Sequence, residues 1–116
     1  MPRETEIDIA EHYSIHPNLV IPTVHSYTAV MGYTNNTCSV AGDESAFHTY
    51  AVVWTPSKIT VSYDDRTCLN MVPPVSLGGR PFVVALSETV GMGVNAPTAA
   101  TPMPATLTID YVRVWK

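Results

Sequence analysis

The sequence of 116 residues is poor in charge: 14% of the residues are charged, with 6 Lys and Arg against 10 Asp and Glu. A net charge of −4 argues against a nucleic-acid partner or an anionic membrane surface, because both are bound through clusters of basic residues. No apolar run is long enough to cross a bilayer. No hydrophobic segment precedes the first acidic residues, so no signal peptide is predicted in this chain.

Cysteine is also scarce. Cys38 and Cys68 are the two present, and they show neither CxxC spacing nor a histidine cluster nearby. A zinc site is therefore not predicted. The local sequence leaves two alternatives open for this pair, a disulfide bond or two buried free thiols.

Helical periodicity is missing from every segment of ten or more residues. Short runs of aliphatic, β-branched and aromatic residues lie between turns rich in proline, glycine and asparagine, which is the pattern of an all-β sandwich. The length allows one domain with a modest core. Strands are predicted over residues 4–13, 20–32, 47–54, 59–63, 81–87 and 107–115.

The most informative stretch is Glu6-Ile7-Asp8-Ile9-Ala10-Glu11. In a regular strand Glu11 would point away from Glu6 and Asp8, but a one-residue β-bulge near Ile9 and Ala10 brings it back to their face. Three carboxylates on one face repel each other, so packing alone does not select them. A hydrolytic site needs an acid, a nucleophile and a tuning group. The alternative is a solvated strand face, or an edge kept charged against aggregation.

Four sequence blocks resemble blocks of glycoside hydrolase family 16, and they follow one another in the same order as in that family. The first is similar to the bulged E-I-D-I-x-E signature of laminarinase-like members. The blocks are residues 6–11, 47–56, 81–87 and 110–115. The resemblance implies a concanavalin-like jelly-roll β-sandwich whose concave sheet forms a polysaccharide cleft.

The resemblance covers the C-terminal half of the family domain. Residues 1–116 are therefore expected to be the C-terminal portion of a single β-sandwich domain, beginning just before the catalytic strand. We expect the apolar face of such a half to be covered by a missing N-terminal half, by another chain or by a compact rearrangement of the sandwich itself. The residues expected to need a facing layer are Ile7, Ile9, Val52, Val61, Val84 and Leu86.

The resemblance also implies a function. It is retaining, endo-acting hydrolysis of β-1,3-glucan or a related β-linked polysaccharide, with Glu6 as nucleophile, Glu11 as general acid/base and Asp8 as the carboxylate between them. No cofactor is required for this chemistry. Such enzymes are secreted, so Cys38 and Cys68 are predicted to form a disulfide. The alternative is a non-catalytic carbohydrate-binding or structural sandwich, or an inactive fragment of the enzyme.

Further residues receive expectations from the same resemblance. His25 is expected to contact sugar, and Glu88 occupies a substrate-binding position where relatives often carry an uncharged amide. Asp110 resembles a position that helps to hold a structural calcium in some members. Trp54 and Trp115 lie within apolar strands and are predicted to be core residues rather than sugar-stacking platforms.

Overall fold

The computed structural model describes residues 5–26, 33–34, 38–39, 45–73, 77 and 81–116. The chain divides into two compact units, Met1–Pro81 and Phe82–Lys116. Within the described residues, no helix is long and apolar enough to cross a membrane.

The first unit contains two three-stranded antiparallel sheets, with strand orders β1-β2-β3 and β4-β5-β6. The strands are β1 Thr5–Glu11, β2 Ile21–Ser26, β3 Tyr33–Thr34, β4 Tyr50–Thr55, β5 Lys58–Tyr63 and β6 Arg66–Met71. The prediction of an all-β sandwich is confirmed.

Some predicted boundaries were wrong. The strand expected from residue 47 begins at Tyr50, and Arg66–Met71, where no strand was predicted, forms the full strand β6. Residues 27–32 of the second predicted strand lie outside the described residues. In β6 an extra residue opposite Val61 and Ser62 produces a bulge. Because of it, Cys68 and Leu69 are both buried, which obscures the alternation that would have predicted a strand.

The larger of two apolar clusters draws its side chains from both sheets. Val24 of β2, Ile59 and Val61 of β5, Leu69 of β6 and the nearby Leu77 are buried together. The partly buried residues around them are Ile7, Ile9, Val52 and Met71. Each fully buried aliphatic side chain contributes about 1.5–3 kcal/mol of transfer free energy. The two sheets thus provide a facing layer for each other within the first unit.

A turn of two residues, Asp64 and Asp65, joins β5 to β6. Both have positive φ, 44° and 65°, a backbone conformation that aspartate tolerates better than most residues. The Thr49 N–H donates to the Asp64 carboxylate at 2.9 Å, and His48 Nδ1 lies 2.7 Å from its other oxygen. These two hydrogen bonds lower the pKa of Asp64 from its ordinary value.

Cys38 and Cys68 form a disulfide bond, with 5.1 Å between their Cα atoms. The bond connects a short bridge segment to β6 and packs with Val20 and Tyr63 in the second apolar cluster, against which Ala10 rests. Because Ala10 belongs to the irregular part of β1, this cluster supports the strand beside Glu11. The predicted disulfide is confirmed.

Replacing both cysteines by serine is expected to lower the free energy of unfolding by roughly 3–4 kcal/mol, because the bond closes a loop of about 30 residues in the unfolded chain. Urea unfolding of the protein with any preceding coding sequence restored, followed by tryptophan fluorescence, measures the change. The wild-type protein with its disulfide reduced should match the variant. A loss below about 1 kcal/mol would show that the bond does little beyond packing.

The second unit differs from the sequence prediction. Strands were expected over residues 81–87 and 107–115, but the one regular element among residues 81–116 is a short 3-10 turn, Gly93–Asn95. Apolar patterning selects the face that a strand would bury, but a strand also needs a neighbour for its N–H and C=O groups. Residues 81–87 and 107–115 are exposed in this structure.

The two tryptophans were predicted to be core residues, and this too was wrong. Trp54 lies on the core-facing side of β4, paired with Ile59, yet it is 37% exposed. Trp115, in the second unit, is 80% exposed. Large rings need a complete apolar layer on both sides to be buried, and neither position has one here.

Candidate active site

The register between β1 and β2 determines which β1 side chains share a face. Glu6 pairs with His25, Asp8 with Thr23, and Glu11 with Ile21. Two residues separate Asp8 from Glu11, whereas one residue, Pro22, separates their partners, so β1 carries the predicted extra residue. Pro22 has no N–H to donate and is well suited to this irregular pairing. The bulge places all three carboxylates on one side of the strand, called the carboxylate face below.

Asp8 lies in the middle of the carboxylate face and contacts His25 on the neighbouring strand. The His25 Nε2 atom is 2.9 Å from Asp8 Oδ2. Both side chains are about a quarter to a third exposed, at 21% for Asp8 and 35% for His25. His25 was expected to contact sugar. The structure places it on the carboxylate face and gives it a protein partner there, while its contact with sugar stays a prediction.

The surroundings of Asp8 on the carboxylate face raise its pKa. Burial raises its pKa, and the negative charges of Glu6 and Glu11 raise it further, against the opposite effect of His25. Asp8 therefore keeps its proton to a higher pH than an isolated aspartate. A proton on Asp8 relieves repulsion among the three carboxylates, which agrees with the tuning role expected for this residue.

Glu11 is held by two hydroxyl donors, one for each carboxylate oxygen. Tyr13 donates to Oε1 at 2.6 Å and Thr23 donates to Oε2 at 3.3 Å. The hydrogen bond to Glu11 raises the pKa of Tyr13 to about 12. Sequence reasoning missed both donors. Period-two spacing was the available signal, because Tyr13 lies two residues beyond Glu11 and Thr23 lies two residues before His25.

Glu6 lies at the more exposed end of the carboxylate face. One donor atom from each of Glu6, Asp8 and His25 lies within 4.8 Å of the others, so these three side chains could hold a divalent cation. The sequence predicted no metal, and hydrolysis by two carboxylates does not require one.

The remaining predicted site residues lie in the second unit. Glu88 and Asp110 are both exposed there, on segments without regular secondary structure. The substrate contact expected of Glu88 stays a prediction, and the likeness of Asp110 to a calcium-holding position stays a resemblance.

This arrangement has the parts that a two-carboxylate hydrolysis needs. Glu6 is open to solvent and to an incoming substrate, whereas Glu11 is oriented by fixed donors. Asp8 lies between them with a raised pKa. All three are attached to a paired strand rather than to a loop, which restricts their geometry.

Comparison with known proteins agrees with this geometry. The sequence profile described as Glycosyl hydrolases family 16 matches residues 2–113. The chain belongs to this family. Jelly-roll architecture is the fold of the family, and the two antiparallel sheets of the first unit are consistent with it.

Three curated relatives illustrate the range of the family. The chain is 30% identical to a beta-glucanase of Rhodothermus marinus over 131 residues, covering 99% of this chain and 46% of the relative. It is 28% identical to Endo-1,3-1,4-beta-glycanase EglC of Rhizobium meliloti (strain 1021), covering 95% and 23%. It is 27% identical to a keratan-sulfate endo-1,4-beta-galactosidase of Sphingobacterium multivorum, covering 96% and 28%. The chain thus spans less than half the length of these relatives. No solved structure matches.

Proposed function

We propose that this chain carries the catalytic strand of a retaining, endo-acting glycoside hydrolase that cleaves β-1,3-glucan or a related β-linked polysaccharide. The observation that carries the proposal is the bulged register of β1, which puts Glu6, Asp8 and Glu11 on one face opposite His25 and Thr23. Membership of the family supports the reaction class. One of the relatives described above is named a beta-glucanase and another an endo-1,3-1,4-beta-glycanase.

The roles follow from the chemistry of retention. In the first step the Glu6 carboxylate forms a bond to the anomeric carbon while Glu11 transfers its proton to the departing glycosidic oxygen. In the second step water attacks the same carbon, gives its proton to Glu11, and the bond to Glu6 breaks. Asp8 takes no covalent part. Its protonation limits the negative charge around Glu6.

The same proposal includes the setting of the protein. A polysaccharide substrate is extracellular, and the Cys38–Cys68 disulfide is the kind of bond that persists in an oxidising compartment. We therefore propose secretion.

A non-catalytic sandwich that binds carbohydrate is the second candidate.

The test is hydrolysis by this chain together with any coding sequence that precedes it in its reading frame. Laminarin, mixed-linkage β-glucan and keratan sulfate are offered separately, and NMR follows the anomeric configuration of the first product. We expect laminarin to be cleaved fastest, with a β-configured first product. An α-configured product would contradict the retaining mechanism. Binding of laminarin without any hydrolysis would favour the second candidate.

A further inference from the structure

The two donors on Glu11 differ in strength and in exposure. The Tyr13 bond, at 2.6 Å, has the length typical of a hydroxyl donating to an ionised carboxylate. The Thr23 bond is longer, at 3.3 Å, and comes from a buried residue of β2. Tyr13 therefore makes the stronger contact, and it comes from the segment that connects β1 to β2.

The segment after β1 holds Tyr13 in this position. Side chains alternate in an extended segment, so His12 points away from the side that Tyr13 shares with Glu11. His12 Nε2 lies 3.1 Å from the Tyr50 hydroxyl of β4, with the two rings edge to face. Beyond Tyr13 the chain turns at once, because the His16 N–H donates to the Tyr13 carbonyl at 2.8 Å. Tyr13 is thus anchored on both sides along the chain.

We propose that Tyr13 is a positioning residue for Glu11 in this site, orienting the carboxyl group and stabilising it as its proton leaves. The inference rests on the proposed function. A hydroxyl donates more strongly to a carboxylate than to a carboxylic acid, so the bond strengthens as Glu11 gives its proton to the departing oxygen. Tyr13 keeps its own proton throughout both steps.

The chemistry of the phenol fits a donor that never reacts. Its pKa, raised to about 12 mainly by the bond to Glu11, keeps it protonated wherever the carboxylates work. It is therefore not a competing acid or base. Thr23, which donates to the other oxygen, leaves the Glu11 carboxyl group little freedom to rotate.

The experiment uses leaving groups to separate positioning of the acid from binding of sugar. The Tyr13→Phe protein is compared with wild type on laminarin, whose leaving group needs a proton, and on a dinitrophenyl laminaribioside, whose leaving group does not. The parameter is kcat/KM, which reports the steps up to formation of the glycosyl enzyme. We expect a loss of roughly 10- to 100-fold on laminarin, the range for a hydrogen bond to a charged group, and a loss below about threefold on the aryl glycoside.

Two further variants complete the design. Thr23→Val removes the weaker donor and keeps the volume of the side chain, so it should show the same selective loss, but smaller. Tyr111→Phe, on an exposed tyrosine of the second unit, is the matched control and should leave both activities unchanged. Equal losses on the two substrates, or no loss with Tyr13→Phe, would overturn the inference while leaving the proposed function intact. A wild-type protein inactive on both substrates would overturn the proposed function and the inference with it.

Discussion

Glutamine in place of Glu6 is expected to reduce hydrolysis by a factor on the order of 10⁴ or more, because an amide cannot attack the anomeric carbon as a carboxylate does. Glu11→Gln should cost roughly 10²- to 10⁴-fold, the range for a lost general acid. Asp8→Asn should cost less than either, because Asp8 takes no covalent part in the proposed reaction. Steady-state rates on laminarin give the ranking, and thermal melts establish that each variant keeps its fold.

Rescue by azide distinguishes the two glutamates directly. In Glu6→Ala, azide enters from the side of the vacated nucleophile and should yield a glycosyl azide of inverted anomeric configuration. In Glu11→Ala, given an activated aryl glycoside, azide attacks the glycosyl enzyme and the product should retain the configuration of the substrate. Product configurations opposite to these would exchange the two roles. Failure of rescue at both positions would argue for the non-catalytic alternative.

Part of this site was predictable from local sequence. The alternation of Glu6, Ile7 and Asp8 defines a strand with one acidic and one apolar face, and the displaced Glu11 predicts a bulge. The register shows that bulge. The disulfide was also predicted correctly, but from the family resemblance, because the local sequence alone left two free thiols as an alternative. The alternation and the bulge of β1 depend on pairing with the neighbouring strand, and this pairing can be predicted from the order of polar and apolar residues.

Other features depend on contacts that the pattern does not record. Tyr13 was predicted as the last residue of the first strand, but β1 ends at Glu11, and the contact of Tyr13 with Glu11 depends on the turn that follows it. Residues 81–87 and 107–115 have strand-like composition but form no strand in this structure. Amino-acid composition indicates which side chains tend to be buried. Formation of a strand also requires a neighbouring strand that pairs with the backbone N–H and C=O groups.

Six apolar residues were expected to need a facing layer, and the structure packs some of them in a cluster and leaves the others exposed. Ile7, Ile9, Val52 and Val61 pack in the cluster between the two sheets, so the first unit itself provides a facing layer for these four. Val84 and Leu86 are more than half exposed, as expected. The sequence pattern does not distinguish the two groups, because all six lie in runs of similar hydrophobicity. The difference is that the first four lie on paired strands of the first unit.

The 116-residue polypeptide expressed by itself is expected to associate or aggregate rather than to behave as a stable monomer. The second unit exposes large apolar side chains along its whole length, with Val83 at 91%, Met92 at 87% and Trp115 at 80% exposed. Surface of this kind drives association, because each Å² of apolar area removed from water contributes about 25 cal/mol. The edge strands of both sheets add unpaired backbone groups that favour pairing with other chains.

Sedimentation velocity and a thermal melt on the isolated polypeptide test this expectation together. We expect a concentration-dependent distribution of species and no cooperative monomeric transition. The control is the same polypeptide with any preceding coding sequence restored. If strands from that sequence cover the apolar residues, the restored protein should sediment as one species and melt cooperatively. A monomeric, cooperative melt of the 116 residues, together with cleavage of laminarin, would contradict the expectation. It would show that the two sheets of the first unit suffice for both stability and catalysis.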